Sequence, residues 1–413
     1  MKPDQFLDYE KSLACIHCGL CLSSCPTYLE TGNENDSPRG RIYIMRAIQD
    51  ARLPLADAAV RHIDLCLGCR ACEVACPSGV QYGELLESTR ERIEQRYRRS
   101  WFQRFLRRIA IEKVFPFPGR MRLAVLPALL AKKLRLDRIL PAFAREGISL
   151  LPGRLDPDAT PEFSPAATEL NRGRVGFIRG CVMSVLFGET NAASVRLLNR
   201  AGYDVVTPAT QGCCGALYAH GGNLDQAREC ARRNIEAFES LNLDAIIINA
   251  AGCGSTLKEY GHLLAHDAPW AKRGQKFSAK VKDITEWLVT SGVKPVAKHS
   301  GVKVTYHDAC HLAHPQRITA QPRQLVRGVA GSSFVDLPES DVCCGSAGSY
   351  NLTEPAMAER LQKRKVDNII RTGAKVVVTT NPGCILQIRA GLAKAGARDV
   401  SVEHIADFLA DRS

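Results

Sequence analysis

The sequence contains one cysteine pattern twice, CIHCGLCLSSCP at residues 15–26 and CLGCRACEVACP at residues 66–77. Each copy has the spacing Cys-x-x-Cys-x-x-Cys-x-x-x-Cys-Pro, which is typical of proteins that hold two 4Fe-4S clusters. In two-cluster ferredoxins the first three thiolates of a run bind one cluster and the fourth binds the other. The pattern therefore predicts two clusters that exchange their fourth ligand. The predicted ligands are Cys15, Cys18, Cys21 and Cys76 for cluster 1, and Cys66, Cys69, Cys72 and Cys25 for cluster 2.

Two other uses of these cysteines were weighed. A zinc site takes four ligands in two pairs and needs no third cysteine at the same short spacing. A disulfide framework suits a short secreted chain, whereas this chain has 413 residues and its first residues do not resemble a signal peptide. Iron–sulfur binding is therefore favoured, and zinc is the main alternative.

The bulk composition is that of a folded soluble protein, with 45% apolar and 24% charged residues. A chain of this length is expected to hold about two to four domains. The sequence has no run of about 18 uncharged apolar residues, so we expect no membrane-spanning helix. Seventeen cysteines without a secretory leader favour a reducing compartment. We therefore expect a cytoplasmic protein.

The net charge of +12 comes from one segment. Between Ser88 and Arg145 there are 16 Lys and Arg against 4 Asp and Glu, and the rest of the chain carries 39 residues of each sign. A helix in this segment can lie peripherally on the inner face of an anionic membrane, or its apolar stripe can pack on the protein or on a partner subunit. Nucleic acid is not expected as a partner, because no nucleic-acid fold signature accompanies the charge. The stripe consists of Phe102, Phe105, Leu106 and Ile109, beside Trp101.

The C-terminal part of the chain repeats itself at an offset of 129–131 residues. In both copies the cysteines follow short apolar runs, and helical patterns lie between the runs, which predicts a parallel α/β sheet. Ligands of such sheets bind beyond the carboxyl ends of the strands, where these cysteines are expected. Each copy is therefore predicted to hold a redox or cluster site, and inert buried cysteines are the alternative. The two sets are Cys181, Cys213, Cys214 and Cys253, and Cys310, Cys343, Cys344 and Cys384.

Together these patterns predict an α + α/β fold with four parts. The first, residues 1–95, is an α-helical ferredoxin domain with two 4Fe-4S clusters, and the second, residues 96–170, is a basic helical segment with a proline-rich linker. The first Cys-Cys-Gly domain covers 171–295 and the second covers 296–413. One long helix is expected from Gly83 to about Ile111.

Four further residues near the Cys-Cys-Gly motifs are given no functional role. Cys230 has no counterpart in the second copy, where the equivalent residue is Arg360, and we expect a small buried apolar residue. The histidines around Cys310 are expected to be structural residues with satisfied hydrogen bonds, although imidazole can replace thiolate on iron. These histidines are His307, His311 and His314.

With these motifs in this order, the chain resembles the iron–sulfur subunits of glycolate oxidase (glycolate dehydrogenase). The likeness covers nearly the whole chain and is closest at CPTY (25–28), PRGRIY (38–43), CPSGV (76–80) and CCGSAG (343–348). The ferredoxin part is similar to the helical two-cluster domain of succinate dehydrogenase iron–sulfur subunits. Subunits of anaerobic glycerol-3-phosphate dehydrogenase, of lactate utilisation systems and of heterodisulfide reductase have the same parts.

The resemblance implies an electron-transfer subunit of an oxidoreductase complex that is not catalytic alone, so no catalytic residue is assigned. It implies FAD-containing oxidase subunits that oxidise glycolate to glyoxylate in a hetero-oligomer, and electron flow through the 4Fe-4S clusters toward a quinone or another acceptor. The alternatives are the same role in a glycerol-3-phosphate or lactate dehydrogenase, or a heterodisulfide-reductase-like thiol/disulfide protein. That last family ends each domain with Cys-x-x-Cys, but this chain has Thr256 and Gln387 there, which argues against a five-thiolate site in either copy.

Overall fold

The N-terminal part of the chain is helical. The computed structural model describes residues 5–136, 142–293 and 301–412. Pro26 and Pro38 each stand at the first position of a helix, where the missing N–H costs nothing. The helices enclose a core centred on Met45, Ile63 and Leu85. They are α1 (Tyr9–Leu13), α2 (Pro26–Thr31), α3 (Pro38–Gln49), α4 (Asp57–Asp64), α5 (Ala71–Val74) and α6 (Tyr82–Arg96), with a 3₁₀ turn at Glu34–Asp36.

The basic segment does not form the single helix expected from Gly83 to Ile111. Helix α6 ends at Arg96, and four residues separate it from the next helix. The buried guanidinium of Arg99 binds both carboxylate oxygens of Asp64, at 2.6 and 3.0 Å, and this ion pair turns the chain away from the helix axis. No Gly or Pro marks the break, but Ser100 caps the next helix and accepts a hydrogen bond from the Gln103 N–H at 3.3 Å, and a Ser-x-x-Gln pattern is typical of a helix N-terminus. The segment continues as α7 (Trp101–Leu106), a π-helical stretch (Arg107–Val114), α8 (Pro118–Lys133) and α9 (Ala142–Leu150).

The first Cys-Cys-Gly unit is built on a five-stranded sheet of order β1-β3-β2-β4-β5. All neighbouring strands are parallel except β1, which pairs antiparallel with β3. The strands are β1 (Phe163–Ser164), β2 (Gly173–Ile178), β3 (Tyr203–Val206), β4 (Ala245–Ile248) and β5 (Val281–Asp283). The helices are α10 (Met183–Leu186), α11 (Gly188–Arg200), α12 (Ala216–His220), α13 (Leu224–Phe238), α14 (Ala251–Lys258), α15 (Tyr260–Leu263), α16 (Ala271–Lys280) and α17 (Ile284–Thr290).

The second unit repeats this plan on a smaller parallel sheet of order β6-β7-β8. Its strands are β6 (Val304–Tyr306), β7 (Val376–Thr379) and β8 (Ser401–His404). Its helices are α18 (Cys310–Ala313), α19 (Ala320–Ala330), α20 (Tyr350–Thr353), α21 (Pro355–Thr372), α22 (Pro382–Lys394) and α23 (Ile405–Ala410), with a 3₁₀ turn at Gly331–Ser333. The mixture of a helical N-terminal part and repeated α/β units confirms the predicted α + α/β fold.

The two α/β units are fused through a shared apolar core, since two of the core clusters contain strand and helix residues from both. One buried hydrogen bond also joins them. The ring of His404 lies between the Asn249 carbonyl, at 2.7 Å from Nε2, and the Ala406 N–H, at 3.1 Å from Nδ1. Because an N–H can only donate, Nδ1 must accept from Ala406, and Nε2 must carry the proton donated to Asn249.

The helical N-terminal part packs against both α/β units. The Arg90 guanidinium donates to the His220 carbonyl of the first unit at 2.9 Å. The Tyr350 hydroxyl of the second unit donates to the Leu65 carbonyl at 2.8 Å. The ferredoxin part is therefore held over the seam between the two units.

Among the described residues, no single helix has the length and hydropathy needed to cross a membrane. The bent pair Gln103–Val114 and Pro118–Lys133 meets that test only when its two arms, which meet at 119°, are taken together.

The His404 link makes a prediction about pH. Burial lowers the pKa of His404 to about 4, against about 6.5 for an unperturbed histidine. The unfolded chain takes up a proton between these values and the folded chain does not. The free energy of unfolding therefore has its full value above about pH 6.5 and falls as the pH drops through that window, by about 2 kcal/mol between pH 6.5 and 4.5 from this residue.

Urea unfolding of His404→Gln against the wild type at pH 7 and pH 5 measures this contribution, because glutamine can both donate and accept without titrating in this range. The variant should lose less stability on acidification. Replacement of the exposed His266 by glutamine is the control. An equal pH dependence in wild type and His404→Gln would contradict the assignment.

Candidate iron–sulfur sites

The four cysteines predicted to bind cluster 2 line one cavity. Cys25 lies at the N-terminus of α2, Cys66 and Cys69 lie in the turn between α4 and α5, and Cys72 lies in α5. Gly68 and Arg70 have φ angles of 66° and 62°, and these left-handed residues let the turn curl around the cavity. The four are Cys25, Cys66, Cys69 and Cys72.

Hydrogen-bond donors point at the sulfur atoms of this cavity. The Gly68 N–H lies 3.4 Å from Cys66 Sγ, and the Tyr82 hydroxyl lies 3.5 Å from the same atom. The Arg41 guanidinium, which is almost fully buried, lies 3.9 Å from Cys25 Sγ and is anchored on the His62 carbonyl at 2.7 Å. Such donors and cations stabilise negative charge on sulfur.

The pKa values of these thiols follow from burial and charge. Burial raises the pKa of the Cys66 thiol, but the Arg41 and Arg90 guanidinium groups outweigh it, so the net shift is downward. Burial and neighbouring thiols hold the pKa values of Cys69 and Cys72 well above the ordinary value. The cavity therefore favours a thiolate at Cys66 on its own, whereas Cys69 and Cys72 need a metal cation to ionise.

The cysteines predicted to bind cluster 1 lie closer to the surface. Cys18 is exposed, and Cys15, Cys21 and Cys76 are half-buried. Burial, with the nearby Cys15 and Cys25 thiols adding to it, raises the pKa of Cys21 to about 11. No measured contact groups these four, so their assignment to one cluster stays a prediction.

In the first Cys-Cys-Gly unit the four predicted cysteines form one contiguous group. The sulfur atoms of Cys181 and Cys213 are 3.7 Å apart, and Cys214 interacts with both Cys213 and Cys253. Cys181 follows β2, and Cys253 lies in the first turn of α14. The topology thus brings together, at the carboxyl ends of the strands, residues far apart in sequence.

A fifth thiol in this unit was missed by the sequence interpretation. Cys230 interacts with Cys213, and hydrogen bonds from Cys181, Cys214 and Cys230 hold the pKa of Cys213 well below its ordinary value. Cys230 lies in α13, one turn from the buried Ala227 and Asn234. The helical spacing from Ala227 and Asn234 indicates that Cys230 faces the core, but Cys230 was given no role because it has no counterpart in the second copy.

The second Cys-Cys-Gly unit has the same arrangement of four. The sulfur atoms of Cys310 and Cys343 are 4.0 Å apart, and Cys344 interacts with Cys343 and Cys384. The hydrogen bond with Cys343 lowers the pKa of Cys344, but the hydrogen bond with Cys384 and burial outweigh it and keep that pKa well above its ordinary value.

The three histidines near Cys310 differ in their surroundings. The His311 ring contacts the Gly68 carbonyl at 3.1 Å, and the His314 ring contacts the Asp341 carbonyl at 3.1 Å, as expected for structural histidines. That expectation is wrong for His307, which is completely buried and has no hydrogen-bond partner of good geometry on either ring nitrogen. Burial, with the nearby Lys365 ammonium adding to it, lowers the pKa of His307 well below its ordinary value.

The cavity of Cys25, Cys66, Cys69 and Cys72 adjoins the second Cys-Cys-Gly site. Leu67, Cys69 and Ala71 pack in one buried cluster with Cys343 and Tyr350. Within the second site, Cys310 and Cys343 are close enough to Cys69 for their charges to raise one another's pKa values. Sulfur ligands of two predicted redox sites are therefore neighbours.

The two Cys-Cys-Gly sites are also adjacent to each other. The Asn381 side chain accepts a hydrogen bond from the Gly252 N–H at 3.1 Å and lies 3.8 Å from Cys384 Sγ. Gly252 directly precedes Cys253. One asparagine side chain thus spans from the first site to the second.

The donor sets fit iron–sulfur groups. Thiolates are soft ligands that select iron–sulfur clusters, zinc or copper(I). The cavity of Cys25, Cys66, Cys69 and Cys72 offers four sulfur atoms, with an N–H, a hydroxyl and a guanidinium nearby.

Comparison with known proteins agrees with this chemistry. The model described as a 4Fe-4S dicluster domain matches residues 11–80, and the model described as a cysteine-rich domain matches residues 175–258 and 304–389. A crystal structure of a hypothetical protein from Helicobacter pylori has a TM-score of 0.54 at 9% identity, over 98% of this chain and 74% of that one. That likeness concerns the fold alone. The matches to the two family models confirm the two 4Fe-4S clusters, the repeat and the ferredoxin-type domain.

Two curated proteins match nearly end to end. The chain is 40% identical to the probable glycolate oxidase iron–sulfur subunit of Bacillus subtilis, over 98% of this chain and 94% of that protein. It is 34% identical to the glycolate oxidase iron–sulfur subunit of Escherichia coli, over 94% of this chain and 91% of that protein. The chain therefore belongs to the family of iron–sulfur subunits of glycolate oxidase, an oxidoreductase complex.

Proposed function

We propose that this chain carries electrons within a flavin-dependent complex that oxidises glycolate to glyoxylate. The electrons come from an FAD-containing partner subunit and pass through the 4Fe-4S clusters toward a quinone or another acceptor. The contact between the Cys69 region and the second Cys-Cys-Gly site carries the proposal, because the cysteines of two proposed redox sites lie side by side there. The names of the two relatives support glycolate as the substrate of the complex.

The exposed cysteine loop is the proposed entrance for electrons. Cys18 is exposed, and Ile16 and Leu20 beside it are each more than half exposed. Exposed apolar residues around a redox group suit a partner protein that must approach it closely. We place the flavoprotein on this loop.

From that entrance the proposed route runs through four sites. It passes from cluster 1 to cluster 2, whose cysteines adjoin the second Cys-Cys-Gly site through Cys69 and Cys343. From there Asn381 leads to the first Cys-Cys-Gly site. When bound, the clusters supply one-electron transfer. The chain's own residues stabilise the negative charge: Arg41 and Arg90 by their positive charge, and Tyr82 by its hydroxyl.

The proposed exit is a peripheral contact with the inner face of the cell membrane, where a quinone is dissolved. Helix α8 presents Leu123, Leu126 and Leu130 to solvent at successive turns, each at least half exposed. Its opposite face packs Met121 and Val125 into the core that contains Cys181. Exposed Arg120 and Lys133 flank this leucine face, which suits anionic head groups.

The basic helix predicted from the sequence makes a smaller contribution to this surface. Trp101, Phe105 and Ile109 are exposed. The side chains of Phe102 and Leu106 lie outside the described residues, so that stripe cannot be followed along its full length.

The glycolate role predicts that glycolate reduces this chain only in the presence of its partner. We expect the EPR signals of reduced 4Fe-4S clusters to develop after anaerobic addition of glycolate to the assembled complex. Ile16→Glu should weaken the partner contact roughly tenfold or more while leaving the iron content unchanged. Leu170→Glu, at an exposed leucine elsewhere on the chain, is the matched control.

Two results would contradict this account. Reduction of the clusters by lactate or glycerol 3-phosphate, but not by glycolate, would exclude glycolate as the substrate of the complex. Reduction of the Ile16→Glu complex at the wild-type rate would exclude the loop as the entrance.

The exchange of fourth ligands makes a separate prediction. Cys25→Ser should change the same cluster EPR signal as Cys66→Ser, because both residues are proposed ligands of cluster 2. Cys76→Ser should change the signal that Cys18→Ser changes. If Cys25→Ser instead affects the signal shared with Cys18→Ser, each run binds its own cluster and the exchange is wrong.

The membrane contact is tested by sedimentation with vesicles. Wild-type protein should bind vesicles rich in phosphatidylglycerol and bind neutral phosphatidylcholine vesicles more weakly. Leu123→Asp combined with Leu126→Asp should weaken binding by about tenfold or more, since each buried leucine contributes about 1.5–3 kcal/mol. Leu170→Asp is the control, and unchanged binding of the double variant would remove α8 from the proposal.

A further inference from the structure

The unpaired histidine of the second Cys-Cys-Gly unit lies among its cysteines. The ligand atoms of His307, Cys344 and Cys384 all lie within 4.8 Å of one another, and all three residues are buried. His307 directly follows β6, and its backbone N–H donates to the Val378 carbonyl at 2.9 Å. The sheet therefore fixes the position of this residue next to the sulfur atoms.

A buried imidazole without a partner is costly, because it loses its hydrogen bonds to water and gains nothing in return. The other buried histidines of this unit have partners: His404 on both ring nitrogens, and His314 on the Asp341 carbonyl. The unmet bonding capacity of His307 therefore sets it apart from the two other buried histidines of this unit, and it lies beside Cys344 and Cys384. A ligand is the simplest way to satisfy it.

The two copies differ at this position. His307 precedes Cys310 by three residues, and the residue three before Cys181 is Ile178. Ile178 is completely buried in the apolar core and offers no ligand atom. The imidazole is therefore a feature of the second site alone and is not required by the shared fold.

Among the described residues of the second unit, no other side chain takes the place of a fifth thiolate. The position three residues after Cys384 holds Gln387, and its side chain contacts Ala358 and Asn351, each at 3.4 Å. In the first unit Cys230 provides an additional thiol beside Cys213. The counterpart of Cys230 is the exposed Arg360, so the second unit has nothing equivalent.

We infer that His307 is a metal ligand, and that the second Cys-Cys-Gly site holds an iron–sulfur centre bound by thiolates and one imidazole. This inference rests on the proposed presence of a redox centre at that site. A neutral imidazole in place of a thiolate leaves one negative charge fewer around the iron. That difference favours the reduced state of the second centre relative to an all-thiolate centre, as it does where histidine replaces cysteine in Rieske centres.

The test is pulsed EPR on anaerobically reconstituted full-length protein labelled with ¹⁵N-histidine, measured as isolated and after reduction with dithionite. Wild-type protein should bind more than the about eight iron atoms that two 4Fe-4S clusters account for, and should show a directly coupled histidine nitrogen. His307→Ala should lose the coupling and the additional iron. His307→Cys should keep the additional iron and lose the coupling.

His314→Ala is the matched control, because it removes a neighbouring buried histidine that already has a backbone partner. It should keep both the coupling and the iron. Retention of the ferredoxin iron and of the circular dichroism spectrum shows that a variant is folded. Absence of a coupled histidine nitrogen in the wild type, or its persistence in His307→Ala, would overturn the inference.

These outcomes separate the inference from the proposed function. If glycolate still reduces the ferredoxin clusters of the complex but no nitrogen coupling exists, only the role of His307 fails. If no iron is bound beyond the two ferredoxin clusters, or if zinc occupies the second site, the redox centre on which the inference rests is absent.

Discussion

The constraint on which the structure depends is the burial of many thiols at short distances from one another. Buried thiolates repel each other and lose their hydration, so most of these cysteines have raised pKa values without metal. Where a single thiolate is favoured, local partners stabilise it: guanidinium groups at Cys66, and hydrogen bonds from other thiols at Cys213. The remaining positive charge needed to stabilise these buried thiolates must come from bound iron. Metal binding and folding are therefore coupled in this protein.

This coupling accounts for the arrangement of the domains. The loop that carries Cys69 buries Leu67 and Ala71 against Cys343 and Tyr350 of the second unit. The His311 ring on the Gly68 carbonyl closes the same contact. Redox sites and packing thus share residues. Loss of metal at one site should loosen the interface that orders the next.

The sequence predicted the parts of this protein that depend on local patterns. These parts are the cysteine spacing, the strands before each Cys-Cys-Gly motif and the offset of the repeat, which can all be predicted from the order of residues alone. The repeat, the fold class and the iron–sulfur chemistry are confirmed. The break after Arg96 was missed because it depends on an ion pair between Arg99 and Asp64, which are far apart in sequence. The thiol of Cys230 beside Cys213 and the unpaired ring of His307 were missed for the same reason, since burial and missing partners become visible only in three dimensions.

The two copies share a fold, but they face different neighbours, and this explains why their sites have diverged. The second site adjoins the cluster 2 cysteines, whereas the first lies under α8, whose outer face carries the exposed leucines. A buried ammonium, that of Lys365, lies near Cys343 and Cys344, where the first copy has Ile235. The second set of thiolates has a cation and an imidazole at the positions where the first copy has Ile235 and Ile178, and these two groups lower the cost of adding an electron to the second set. The two copies of this fold can therefore hold sites of different electron affinity. In the proposed route, these few side chains set the order in which electrons pass through the two sites.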